Sequence, residues 1–420
     1  MIPRLLSFAL VAALTARAAS ADWSRFRGPE GSGVSAAQGT PLNWSDTAGI
    51  LWKTDLPGPG ASSPVVQGDR IYLTCYTGFG PGVEGGSPES LQRHLLCFDR
   101  PTGKRLWTAA VAAELPEQAR IREDHGYATA TPVVDADRIY VFWGKSGVFA
   151  FDHAGRQLWN TKVGNQLNGW GSAASPVLHG NRLLVNAYVE SQSFVALDRT
   201  TGREVWRAGG IGDSWHAPVV VHLPDGKAEV VAAMSKQVRG LDAETGRELW
   251  QADTGNHWYV CPTPVVQDGT VYLIGGRGPT VTMALRAGGR GDVTATHVVW
   301  KNGKGSNVPS PVLQEGHLYF AHENLGLALC VNARTGDVVY EERLNPNPGQ
   351  IYASPVLADG KLYYLGRGGV AVVLAAEPKF RVLADNRLEG GRGVFNATPA
   401  FDGRRLLVRS NRALYCLGTP

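Results

Sequence analysis

The sequence predicts an all-β fold, an eight-bladed β-propeller of four-stranded antiparallel blades closed when the N-terminal strand completes the last blade. Three observations predict it. A turn motif of the form Asp-x-x-Thr-Gly-Arg/Lys followed by tryptophan recurs along the chain, and a proline-led strand precedes it at a near-constant interval. Composition agrees: 52 of 420 residues are glycine and 25 proline, hydrophobic residues make up 43% and charged ones only 19%. That is the profile of short strands joined by tight turns.

The motif is clearest in Leu241 to Trp250, where Asp242, Thr245 and Gly246 precede Arg247 and Trp250. Asp99 with Gly103 and Trp107, Asp198 with Gly202 and Trp206, and Asp152 with Gly155 and Trp159 repeat it. Glycine supplies a positive φ, and the Asp and Thr side chains satisfy local backbone groups, so each copy reads as a hairpin. The preceding strand opens at Pro64, Pro132, Pro176, Pro218, Pro264, Pro311, Pro355 and Pro399, and after a first interval of 68 residues the spacing is 42 to 47. A proline is tolerated at the first position of a strand because that residue need not donate to the ladder. Four strands per unit at this spacing match a propeller blade, and no segment sustains the 3.6 period of a helical solenoid.

The outer strand of each unit closes on an aromatic: Trp52, Trp107, Trp159, Trp206, Trp250, Trp300, Tyr340 and, more weakly, Phe380. Trp52 precedes the first proline unit while the last unit lacks an outer strand, so Ile50 to Lys53 is expected to close the ring. One slot of the motif holds Cys97, Cys330, Cys416, Ala150, Ala196, Gly240 or Ala284, which marks a small buried position. Of the five cysteines only Cys75 and Cys97 are candidates for a disulfide.

Residues 1–21 read as a secretory signal, with Arg4, an apolar run from Leu5 to Leu14 and small residues ending at Ala21. Residues 22–49 form an N-terminal extension and residues 50–420 a single propeller. Export to the periplasm or beyond is expected, without a lipid anchor because no cysteine stands at the cleavage point. No later stretch reaches the roughly 20 apolar residues of a membrane helix. A formal charge of +4 gives no reason to expect nucleic acid as partner. A monomer is expected.

These repeats resemble the pyrroloquinoline quinone (PQQ) repeat of quinoprotein dehydrogenases and of BamB-type outer-membrane assembly lipoproteins. The opening Trp23-Ser24-Arg25-Phe26-Arg27-Gly28-Pro29 is similar to that of secreted PQQ-binding-like propellers of planctomycetes. The resemblance runs from about residue 23 to 420. It implies the fold; activity differs among members, which include enzymes and non-enzymes.

If the Gly/Asp turn and the Thr-Gly turn of each blade share one face, the other two connections share the opposite, upper face. The unusual residues collect there. Inter-blade loops carry Asp124, His125, Tyr127, Trp170, Asp213, Trp215, His216, His257, Trp258, Tyr259, Asn307, Tyr352 and Asn396. Loops within blades add Lys145, Lys236, Arg277, Arg367 and Arg412 against Glu190 and Glu323. Aromatic planes with fixed cations at a channel mouth suit a flat anionic ligand, such as a quinone tricarboxylate, an acidic peptide or an anionic sugar. The same side chains could instead plug the channel.

The resemblance to quinoproteins implies PQQ with calcium as a cofactor, but the upper-face acids lie in separate loops without calcium-site spacing, and the adjacent cysteines of the alcohol-oxidising members are missing. His125, His216 and His257 reach the count of a metal site, yet their aromatic neighbours favour stacking, and no metal ligand set or catalytic residue is assigned. The expected function is a non-enzymatic scaffold binding a partner protein or small anionic ligand at the upper mouth. The alternatives are a PQQ-dependent dehydrogenase of alcohols or sugars and an outer-membrane assembly factor of BamB type.

Overall fold

The computed structural model describes residues 22–122 and 125–419. The expected signal segment and the candidate Asp124 lie outside the described residues. Among the described residues the strands form eight sheets, each an antiparallel meander of four strands, two of them extended by a short parallel strand. In the first blade Val65–Gln67, Arg70–Thr77, Gln92–Asp99 and Arg105–Ala112 pair in chain order from the channel outwards. Ile50–Asp55 pairs with Ala413–Leu417 and completes the eighth blade. That contact joins the chain's two ends and leaves no gap in the ring.

The register explains the small slot. Cys97 pairs with Trp107, Ala150 with Trp159, Ala196 with Trp206, Gly240 with Trp250, Ala284 with Trp300, Cys330 with Tyr340 and Cys416 with Trp52. Each aromatic thus faces a residue too small to obstruct it. The seventh blade departs from the expectation: Val373 pairs with Ala384, and Phe380 lies before the outer strand, edge-on to Tyr340 at 5.7 Å. The disulfide candidate fails on register as well. Cys75 faces His94 and Cys97 faces Tyr72, three rows apart, or roughly 10 Å at strand rise, and all five cysteines are free.

The turn motif serves the neighbouring blade. Asp242 Oδ1 accepts from the Thr245 amide at 2.9 Å and hydroxyl at 2.8 Å, holding Gly246 at φ +71°. The Trp206 ring of the preceding blade lies on that glycine, where a Cβ would stand 2.5 Å from it, and its Nε1 donates to Ala243 O at 3.0 Å. Trp107 docks on Gly155, Trp159 on Gly202 and Trp300 on Gly336 in the same way. Trp250 is the exception. The fifth blade replaces the Thr-Gly turn with residues 286–296, so Trp250 finds no turn glycine on the next blade and donates instead to buried Glu229 in its own blade at 2.7 Å. The inserted residues fold back as Gly291–Asp292, a fifth strand parallel to the outer strand of blade four.

The N-terminal extension closes the channel's lower end. Trp23 O accepts from Val66 of blade one, Ser24 O from Val134 of blade two, and Gly33 O from Leu357 of blade seven, at 2.8 to 2.9 Å. Val34–Ser35 then runs parallel to the innermost strand of blade seven. The Trp23 ring meets Phe401 of blade eight edge-on at 5.5 Å. Arg27 is fully buried and donates to Pro311 O of blade six and to Ser32 O, with burial pulling its pKa down to about 9.

Candidate site at the upper channel mouth

The upper channel is ringed by the residue just before each strand-opening proline. Ser63 N–H donates to Thr131 Oγ1 of the next blade at 2.9 Å, and Thr131 N–H to Ser175 Oγ at 3.0 Å. The chain of contacts resumes from Ala217 to Thr263, Ser310, Ser354 and Thr398, at 2.9 to 3.2 Å. Alanine at 217 interrupts it, because no hydroxyl faces Ser175 N–H there. Six hydroxyls are spent as acceptors and keep their own protons, for which the described residues offer no acceptor.

Above this ring lies a cavity of about 200 Å³ with Phe26 of the N-terminal segment in its lining. Eight of the expected residues converge on it: His125, Trp170, Trp215, Tyr259, Arg277, Asn307, Tyr352 and Asn396. Trp170, Trp215 and Tyr259 form one aromatic wall, with ring centres 5.4 and 5.6 Å from Tyr259 and planes at 47° and 72°. Arg122 lies over the Trp170 face at 4.1 Å, and both Arg122 and Arg277 are exposed at the rim. On the far wall buried Glu323 accepts from Ser306 Oγ at 2.7 Å and Asn307 N–H at 3.1 Å. The Asn307 Oδ1, also buried, has no partner among the described residues. Eight-fold geometry sets Arg122, at the entry to blade two, diametrically across from Glu323 in blade six.

The other expected residues lie elsewhere. His216 is buried, its Nδ1 against Ala217 O at 2.7 Å and its Nε2 accepting from Ala233 N–H at 2.9 Å, and burial pushes its pKa down to about 4. A histidine engaged at both nitrogens cannot join His125 and His257 on a metal, and His257 is exposed outside the cavity. Among the described residues no three His, Cys, Asp or Glu side chains cluster for a metal. Tyr127 is buried edge-on to Tyr76 at 5.5 Å, and Lys145 donates to Pro116 O at 2.7 Å; both face a separate small recess. Trp258 backs onto Tyr259 at 5.7 Å, outside the cavity. Lys236 is exposed on a turn at φ +70°, and Arg367 lies over the Tyr352 ring at 5.0 Å.

Sequence reading missed Arg122, Phe26 and the hydroxyl ring as site elements. The ring was visible as the Ser/Thr before each proline, but its role depends on the neighbouring blade's backbone. Glu190, expected on this face, is buried beside Ser172, which donates to it, and desolvation raises its pKa to about 7.

No curated protein matches this chain. Among solved structures it is similar to BamB from Moraxella catarrhalis, with TM-score 0.60 and 14% identity over 88% of this chain and 97% of that one. It is similar to a europium-containing methanol dehydrogenase, TM-score 0.67 and 11% identity over 95% and 98% of the two chains. The quinohemoprotein alcohol dehydrogenase from Comamonas testosteroni gives TM-score 0.62 and 12% identity over 95% and 80%. At these identities the likeness shows the fold. A family model described as outer membrane protein assembly factor BamB matches residues 92–339, more than half of the chain, which therefore belongs to this family of PQQ-type propellers.

Proposed function

We propose that the protein is an exported, non-catalytic propeller that binds an organic anion, free or carried by a partner protein, at the upper channel mouth. The observation that carries this reading is the cavity bounded by Trp170, Trp215 and Tyr259 with Arg122 and Arg277 at its rim. Aromatic faces orient a flat or ring-shaped ligand, and guanidinium groups pair with carboxylates. The family's description supports a partner protein as the bearer of the anion, and the apparent signal segment supports export.

The dehydrogenase-like neighbours raise PQQ with calcium as a second occupant. The residues present do not fit that pair. A flat tricyclic group could lie against only one ring of the wall, because the rings meet at 47° and 72°, and Arg122 already covers one face of Trp170. A calcium ion needs six to eight oxygens. Among the described residues Glu323 is the single carboxylate in the cavity lining, and one of its oxygens is already held by Ser306 and Asn307.

The test is to incubate purified protein with PQQ and calcium and assay alcohols and aldoses with an artificial electron acceptor. No turnover is expected. Turnover above the protein-free control would overturn the non-catalytic reading.

A further inference from the structure

The cavity holds more than an anion site needs. Asn307 Oδ1 is buried, lines the cavity and has no partner among the described residues, so it is an acceptor awaiting a donor. Glu323 lines the same wall, and its Oε1 receives only a long contact, 3.4 Å, from Asn324. A simple carboxylate or sulfate has no proton to offer either group. The hydroxyls of Thr131, Ser175, Thr263, Ser310, Ser354 and Thr398 accept backbone N–H bonds and retain protons to donate. The occupant must therefore donate on one side, accept around its middle and carry negative charge on the other, while laying an apolar face on Trp170, Trp215 and Tyr259.

We infer that the ligand of this mouth is an anionic sugar, a pyranose ring bearing a carboxylate. The inference rests on the reading of the mouth as an anion site and names the class of anion. Sugar hydroxyls donate to Asn307 Oδ1 and Glu323, ring and hydroxyl oxygens accept from the hydroxyl ring, and the C–H face covers the aromatic wall. The carboxylate points across the channel toward Arg122, opposite Glu323, while Arg277 of the neighbouring fifth blade stands at the rim. A cavity of about 200 Å³ holds one such ring, so a longer acidic glycan enters by its terminal unit.

Calorimetric titration with four probes tests it: glucuronate, glucose, benzene-1,3,5-tricarboxylate and a trigalacturonate. Glucuronate is expected to bind at least tenfold more tightly than glucose or the tricarboxylate. Trigalacturonate binding at least tenfold more tightly than glucuronate identifies a glycan end as the source, and equal or weaker binding the free sugar acid; either supports the sugar site. Asn307→Ala is expected to weaken glucuronate at least tenfold and leave the tricarboxylate unchanged, whereas Arg277→Ala weakens both. Should Asn307→Ala fold poorly, the isosteric Glu323→Gln serves with the same expectation. Tricarboxylate binding as tight as glucuronate, or losing as much in Asn307→Ala, overturns the sugar while leaving the anion site standing. No binding of any probe overturns both.

Discussion

The two ends of the channel are finished differently. At the lower end Trp23 to Ser35 ties the interior shut through backbone and ring contacts to blades one, two, six, seven and eight. At the upper end no described segment crosses, and loops from all eight blades leave a cavity of about 200 Å³. The lower closure comes from outside the repeat, and the upper opening from loops that do not repeat. A channel with one floor and one mouth is a cup, and that places binding chemistry at a single end.

Removing the floor should have the largest effect. Trp23 is 2% exposed and packs on Phe401 and over Gly28, so Trp23→Ala is expected to cost about 3 to 5 kcal/mol in urea unfolding and to weaken ligand binding above it. A variant that loses stability and keeps full affinity would separate the floor from the site.

The next effect appears with pH, near the upper end. Glu190 has a folded pKa of about 7 against a usual 4.5, so the stability it lends is present below about pH 4.5 and is lost as pH rises toward 7. His216 has a folded pKa of about 4 against a usual 6.5, so it costs stability as pH falls from about 6.5 to 4. Between about pH 4.5 and 6.5 the two slopes oppose and flatten the profile. Glu190→Gln should leave the histidine slope alone, with stability rising by about 3 kcal/mol over that window in chemical denaturation. An unchanged flat profile would contradict the opposition.

Two smaller changes probe the ring between the ends. Gly246→Ala forces an L-residue at φ +71° and a Cβ to within 2.5 Å of the Trp206 ring, an expected loss of about 2 kcal/mol in the same assay. Ala217→Ser supplies the hydroxyl that Ser175 N–H lacks and should add about 1 kcal/mol. A loss in the second case would mean that the gap at 217 serves packing.

The frame was legible in the sequence because each blade repeats it. Asp242, Thr245, Gly246 and Trp250 predict a hairpin and a closing strand, and the small slot at Cys97 or Gly240 predicts the facing partner that the register shows. Phe380 misled because aromatic character without the turn motif does not set a strand position. The candidate site was half legible. Parity of the blade connections put the right loops on one face, but it could not say which side chains turn inward. His216 turns into the blade to cap Ala233 N–H, while Arg122 reaches the mouth by lying on Trp170, a residue from the next inter-blade loop. Such contacts lie between blades, and one repeat read by itself does not contain them.

The central claim is that the upper mouth binds an anion through Arg122 and Arg277 beside the aromatic wall. It is tested most directly by titrating benzene-1,3,5-tricarboxylate and glucuronate into the wild type and into an Arg122→Ala, Arg277→Ala double variant at low salt. The account predicts that the wild type binds, with affinity falling as salt rises, and that the double variant loses at least tenfold for both probes. A double variant that binds as the wild type does would contradict it.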